Sequence, residues 1–398
     1  ELQKSFLQIS PNDNLLVALQ DLKAGNVIDW NGSSLKLSED IPAKHKFAPT
    51  ELKDKEQVRL YGVLVGETTQ KISPGERIRQ SNVIHRAEDY CSSENLFSWE
   101  APSISNWENR TFNGYVRTDG SVGTANYWLV VPMVFCENGN IETLKSSMLR
   151  ALGLSKRNQY EIFSQSLADA YCRGDTPDSV TFPEGTNHEP SPIFPHVDGI
   201  KFLTHGLGCG ETRGISEELC ALLAGYACNP NVSGITVLSL GCQHAQVSIM
   251  EDEIAKRCPN FDKPFLVFEQ QKYPSEREMM EQAIRQTYAG LSEINKLKRT
   301  PAPLSKLCLG MECGASDGFS GISANPAMGH TADLLTAMNG RVILSEFPEL
   351  CGVEQEIVNR CANPEIGNRF IEIMRNYELR VKEAGSGFHM NPSPGNVK

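Results

Sequence analysis

Residues Leu307–Pro326 read LCLGMECGASDGFSGISANP, and this stretch sets the class of fold. It opens as a short apolar run, Leu307 to Met311, of the length and texture of a buried strand. Glu312, Cys313 and a series of Gly, Ser and Asp residues then end the strand and open a tight loop. Asn325-Pro326 precedes a helical pattern from Met328 to Met338, as an N-cap followed by proline in the first turn. Cys313, Asp317 and Ser320 are therefore expected on a glycine-rich loop between a strand and a helix. In α/β sheets that edge is where ligands bind.

Working outward, the same arrangement recurs. Tyr127–Phe135 is a nearly continuous apolar run, as expected for a strand buried on both faces, and Cys136 follows it directly. Gly199–Thr204 precedes His205 and Cys209, Gly234–Leu240 precedes Cys242, and Phe265–Phe268 precedes Glu269. Arg341–Leu344 precedes Glu346. Helical spacing falls between these runs, over 141–152, 158–172, 216–228, 246–257, 276–298 and 353–384. Strand–helix alternation of this regularity implies a parallel α/β sheet with right-handed crossovers. If all the strands share one sheet, Cys136, His205, Cys209, Cys242 and Cys313 converge at one edge. Thiolates with an imidazole suit iron or zinc better than magnesium or calcium, and thiolates also hold iron–sulfur clusters. Cys172, Cys220, Cys228, Cys258 and Cys361 fall on helical patterns and read as packing residues.

Residues 1–92 have a different texture, with short strands separated by Gly and Pro turns, the pattern of a compact β module. His45, in Ile41–Ala48 (IPAKHKFA), is its distinctive residue. Residues 93–112 read as a polar and aromatic linker, with Trp99 and Trp107 expected to pin it to a domain, and 113–398 as the α/β core. Composition bounds the function. The 398 residues carry a net charge of −11, with 40% hydrophobic and 22% charged residues. This argues against nucleic acid or an anionic membrane as partner. No apolar run is long enough to span a membrane, and 12 cysteines without a secretory signal read as reduced thiols of a cytoplasmic protein. Neither GxGxxG nor a Walker loop occurs, and the absence of a CxxC pair gives no structural zinc signature.

The segments FNGYVRTDGSVGTANYWLVVP, THGLGCGE, GYACNPNVSGITVLSLGCQHAQ and CGASDGFSGISANPAMG resemble the altronate/galactarate dehydratase family along essentially the whole chain. LVALQDLKAG and IPAKHKFA resemble the small β-clip (SAF-like) domain that begins these enzymes. GCQHAQ and NGYVRTDG are closer to the altronate branch. The resemblance implies loss of water from a sugar acid, D-altronate to 2-keto-3-deoxy-D-gluconate, with galactarate or another aldonate or aldarate as the alternative substrate. A non-catalytic sugar-acid-binding homologue is the rival reading. The resemblance also implies dependence on Fe2+ or another divalent metal such as Mn2+. Cys136, His205, Cys209, Cys242 and Cys313 are then the candidate ligands, and His45, His205, Asp317 and Ser320 the candidate catalytic groups. His45 is expected to face the large domain. A homo-oligomer is compatible with this reading. Two departures stand out: Arg79-Gln80-Ser81-Asn82 replaces an HxHN segment of altronate-type members, and the chain stops at MNPSPGNVK, where members of the family continue. The resemblance thus implies a core shortened at its C-terminal end.

Overall fold

The computed structural model describes residues 5–88, 90, 98–155, 159–183, 191–312, 314 and 319–387. The chain forms two compact units, one built from 109–306 and the other from 1–108 together with 307–398.

The centre of the 109–306 unit is a four-stranded parallel sheet. Its strands are β1 (Tyr127–Pro132), β2 (Gly199–Phe202), β3 (Val232–Ser239) and β4 (Phe265–Glu269), in the spatial order β2-β1-β3-β4. Tyr127 is in register with Gly199, Trp128 with Gly234 and Ile235 with Phe265. All eight residues of β3 are buried, which is why VSGITVLS reads as continuous rather than alternating. Successive side chains of β1 still point to opposite faces. Trp128 and Val130 join a core completed by Ile141, Leu144 and Met148 of α1 (Asn138–Ala151) and by Met279, Ala283 and Leu291 of α5 (Glu276–Ile294). Leu129 and Val131 join a second core, with Leu219 and Leu223 of α3 (Arg213–Cys228) and Met250 and Ile254 of α4 (Val247–Arg257). Helices therefore cover both faces. A further helix, α2 (Gln159–Arg173), buries only Ala170 among its residues.

The first core is keyed by one ring. The Trp128 indole is fully buried and donates from Nε1 to Thr236 Oγ1 at 2.9 Å, and Thr236 meets Thr287 Oγ1 at 2.7 Å. A Cβ on Gly290 would lie 2.1 Å from this ring, and one on Gly234 2.3 Å from it, so both positions need glycine for close approach. The start of α5 is a reciprocal cap, as Ser-Glu-Arg-Glu leads one to expect. Ser275 Oγ accepts from Glu278 N at 3.2 Å and lies 3.3 Å from the Glu278 carboxylate.

In the other unit, residues 5–88 form the expected β-rich module. Short antiparallel strands include Leu16–Ala18 against Lys46–Phe47, the hairpin Val27–Trp30/Ser33–Lys36, and Gln57–Leu60 against Val63–Thr68. Two apolar clusters fill it, one around Leu15, Leu52, Leu60 and Ile72 and one around Leu16, Leu37, Ile41 and Phe47. The same unit contains β5 (Cys308–Met311), α6 (Ala324–Ala337), β6 (Arg341–Leu344) and α7 (Pro364–Glu383). Ile322 packs against the first of those clusters, and Lys44 Nζ lies 5.3 Å from the Phe319 ring centre.

Three expectations need correction. Among the described residues β5 and β6 pair in parallel with each other and do not extend the four-stranded sheet. The expected core of 113–398 is therefore divided. Thr300–Pro303 pairs antiparallel with Thr111–Val116 and closes the 109–306 unit before β5 begins. The linker expected over 93–112 accordingly gives its last two residues to that strand. Trp99 and Trp107 are 44% and 41% exposed, so each keeps part of its ring at the surface. Helix α6 begins one residue before Asn325, with Ser323 as N-cap. Pro326 is tolerated there because the N–H groups of a first turn have no helical partner. No helix among the described residues is long and apolar enough to cross a membrane.

Candidate active site

The order β2-β1-β3-β4 places a topological switch point beside β1, where the chain first steps to one side and then to the other. Ligands of such sheets bind at the carboxyl ends of the strands at that point. Cys136 follows β1, Cys209 follows β2 and Cys242 follows β3, so the three thiols lie on loops leaving three adjacent strands. All three are exposed. Cys242 and Cys136 both lie near enough to Cys209 to act on its thiol. The Cys209 thiol is pushed above the ordinary 9.0 by loss of hydration first and then by Cys242 and Cys136. These three of the expected strand-end thiols lie at the same end of the sheet, whereas Cys313 and Asp317 lie outside the described residues.

The thiol loops are laced to one another through main-chain groups. Phe135 N donates to Leu207 O at 2.9 Å and Met133 N to Leu238 O at 2.8 Å. His205 completes the lacing and is not an open ligand. Its Nε2 is 3.0 Å from Pro132 O, and its Nδ1 accepts from Leu207 N at 3.2 Å. The carbonyl can only accept, which fixes the neutral Nε2–H tautomer and leaves neither ring nitrogen for a metal or a substrate proton. The role expected of His205 as ligand and acid/base is thereby corrected: it positions the loops of Cys136 and Cys209. The Cys242 loop has its own brace in Gln243, which is buried. Gln243 accepts from Gly241 N at 2.7 Å and donates to Ser239 Oγ at 2.8 Å and Ala245 O at 3.2 Å. Gly241 has φ +113°, and a Cβ there would lie 2.7 Å from the Gln271 side chain. Only glycine takes that conformation freely. For a metal held at Cys242, Gln243→Leu is expected to weaken retention roughly 10- to 100-fold, the usual range for a residue that orients a ligand. Equilibrium dialysis of the purified variant measures this.

Sequence reasoning missed Glu137. It follows Cys136 in the turn Phe135–Glu137 that leads into α1, and is 1% exposed. Its Oε2 accepts from Asn140 Nδ2 at 2.8 Å, while Oε1 is buried without a hydrogen-bond partner, as is Oδ1 of Asn138. Burial, offset in part by Asn140, pushes the Glu137 carboxyl above its ordinary 4.5. A charged residue directly after an apolar strand and a cysteine was the available signal.

These residues bear on whether a metal fits. Among the described residues no group of three or more His, Cys, Asp or Glu side chains forms a ready-made metal cage. The chemistry of the donors nevertheless suits a thiophilic cation. Three exposed sulfurs on neighbouring loops are soft donors of the kind such a cation takes. Two orphaned oxygen acceptors lie in the turn beside Cys136.

His45 and Ser320 belong to the other unit. The His45 ring is held below its ordinary 6.5 by loss of hydration first, then by Arg77, Lys46 and Arg79. Ser320 opens the turn Ser320–Ile322, which follows Phe319. The strand-end acids Glu269 and Glu346 take other parts. Glu269 lies 3.6 Å from Lys272, and Glu346 takes a left-handed backbone before the turn Phe347–Leu350.

Three domain families match the chain in succession. Residues 4–86 match the altronate/galactarate dehydratase SAF domain, 114–295 the second domain of D-galactarate dehydratase/altronate hydrolase, and 304–398 the C-terminal domain of D-galactarate/altronate dehydratase. An altronate dehydratase of Bacillus subtilis is 31% identical over 99% of this chain and 70% of its own length. The chain belongs to the altronate/galactarate dehydratase family. It is a hydro-lyase. Other members of the family are an altronate dehydratase of Escherichia coli, 25% identical over 98% of this chain and 70% of its own, and a galactarate dehydratase (L-threo-forming) of E. coli. The latter is 27% identical over 99% of this chain and 69% of its own. The family's second domain coincides with the sheet unit and contains the three thiols. Its C-terminal domain begins close to the division at 306/307.

Proposed function

We propose that this dehydratase removes water from a sugar acid, with D-altronate as substrate and 2-keto-3-deoxy-D-gluconate as product, in a reaction that depends on a thiolate-held metal. The observation that supports the reading is that Cys136, Cys209 and Cys242 all lie on loops at the switch-point end of the sheet, in a chain that belongs to this family. Iron, as Fe2+, is the metal favoured by sulfur donors, with Mn2+ or an iron–sulfur cluster as alternatives. Bound there, it supplies Lewis-acid assistance to the departing hydroxyl.

The protein has to take the C2 proton, accommodate the charge that develops on the adjacent carboxylate and release the C3 hydroxyl as water. The enol that results tautomerises to the 2-keto acid. With His205 committed to backbone bonds, His45 is the base. Loss of hydration and nearby cations keep it neutral at pH 7, the form that accepts a proton. Acidification protonates it and removes the base, so activity is lost as pH falls through its depressed pKa. The acid limb of kcat/KM is expected below pH 6.5. His45→Ala is expected to lower kcat about 10²- to 10⁴-fold, the usual worth of a positioned general base, and to abolish that limb. Near-normal turnover of the variant, read over a pH series, would remove His45 from the reaction.

Galactarate is the second reading, because the galactarate and altronate dehydratases of E. coli are similarly close to this chain. A panel of hexonates and hexarates, with 2-keto-3-deoxy acids detected as products, decides between them. Turnover of altronate above all others is expected. Preference for galactarate keeps the chemistry and replaces the substrate.

A further inference from the structure

The surroundings of His45 contain a guanidinium with one buried N–H, the Arg77 Nε, that meets no acceptor among the described residues. Lys46–Phe47 runs beside Arg77-Ile78: Phe47 bridges Arg77, and Ile78 N donates to Lys46 O at 2.8 Å. Arg77 and Arg79 are thereby brought to the strand that follows His45. The nearby acid is Glu39, and its hydrogen bonds go elsewhere. It accepts from Arg79 Nη1 at 3.0 Å, from Arg79 Nη2, and from the backbone N of Arg77 at 2.9 Å. Burial would raise the Glu39 carboxyl, but these bonds outweigh it and hold the group below the ordinary 4.5. Asn82, which closes the turn, is also engaged, accepting from Arg79 N at 2.7 Å and donating to Arg77 O at 3.0 Å.

The Arg77 side chain is left over. Its Nε is buried and has no hydrogen-bond partner. A buried, unpaired donor on a charged group is expensive and is ordinarily satisfied. No described residue of the chain provides the acceptor. A second sign is backbone strain next to His45. Lys44 has φ +75°, a left-handed conformation uncommon for a long side chain. That conformation accompanies the approach of Lys44 to the Phe319 ring.

We propose that Arg77 is the anchor for the carboxylate of a small hydroxy acid, held so that the carbon bearing the acidic proton lies against His45. The identity of the ligand rests on the sugar-acid reading above; the site itself rests on the orphaned Nε–H of Arg77. A planar guanidinium matches a carboxylate in two parallel hydrogen bonds, which fixes orientation as well as charge. The proton to be removed sits one carbon from that carboxylate. Arg77, which bridges Phe47, and His45, which precedes that strand, are thereby an anchor and a base on adjoining segments. Cations beside the carboxylate also stabilise the extra charge that builds on it as the proton leaves.

The test uses the full chain with chelator present, so that binding is read without turnover. D-gluconate and its uncharged counterpart D-glucitol are titrated calorimetrically into the unaltered protein, Arg77→Gln and Arg77→Lys. The unaltered protein is expected to bind gluconate at least 10-fold more tightly than glucitol. Arg77→Gln is expected to lose that preference with its thermal unfolding unchanged, and Arg77→Lys to recover part of it. If Arg77→Gln does not fold, the unaltered protein still decides. With histidine labelled for NMR, the His45 ring signal, assigned by its disappearance in His45→Gln, is expected to move with gluconate and not with glucitol. Equal binding of the two compounds, an Arg77→Gln variant that keeps the preference, or a stationary His45 signal overturns the proposal. Product formation is assayed separately with metal. Dehydration without an Arg77 effect sinks the anchor and leaves the function, and anion binding without dehydration does the reverse.

Discussion

Cys242→Ala is expected to abolish most turnover, lowering kcat by about 100-fold or more, and to lose metal in the same proportion. The lower bound follows from what removal of a group that merely orients a ligand costs; removing a ligand itself costs more. Cys242 and Cys209 lie on loops leaving strands that flank β1. Deleting Cys242 also removes one of the lesser causes, after loss of hydration, that hold the Cys209 thiol above its ordinary value. Cys209 in the variant should thus alkylate faster with iodoacetamide at a fixed pH. Paired metal analysis and turnover separate the two roles a thiol can have. Loss of both is the expected result, whereas full metal content with lost turnover would make Cys242 a reacting group instead of a ligand.

Trp128→Ala is expected to be the most damaging single change to the fold, costing about 3–5 kcal/mol, the usual range for truncating a large buried aromatic. Three features make this site unable to collapse around the gap. The ring lies against Gly234 and Gly290, which have no side chains to move inward. It packs in a core with Ile141, Leu144, Met279 and Ala283 from two helices. Its Nε1 also donates to Thr236, so the change leaves a buried hydroxyl with one partner fewer. Urea unfolding followed by far-ultraviolet circular dichroism measures the loss. A change below 1 kcal/mol would mean that the two helices close over the sheet, contrary to the packing described.

The relation between residues and structure differs from place to place, for physical reasons. The strands β1 and β3 were legible because burial on both faces leaves a continuous apolar run that few other elements imitate. The positions of Cys136, Cys209 and Cys242 then followed from strand ends alone, since parallel strands present their carboxyl ends together. The division at 306/307 was not legible. Thr300–Pro303 looks like a linker, and its pairing with Thr111–Val116 joins residues far apart in sequence. The role of His205 could not be read because the difference between a ligand and a brace lies in which backbone groups face its ring nitrogens. Arg77 escaped notice for a related reason. In sequence it is one of two arginines in ERIRQ, far from Glu39, and only the fold shows that Arg79 takes the side-chain bonds of that carboxylate while the Arg77 Nε meets no acceptor among the described residues. Glu137 is the intermediate case: its place after Cys136 was visible, but its burial was not.

The central claim is that a metal held by the strand-end thiolates is required for dehydration. The most direct measurement is the rate of 2-keto-3-deoxy-D-gluconate formation from D-altronate by protein purified without oxygen, first with added ferrous iron, then with a chelator, then with iron restored. The account predicts that turnover collapses in the chelator and returns with iron. Undiminished turnover in the chelator, with metal analysis showing that the protein has been stripped, would contradict it.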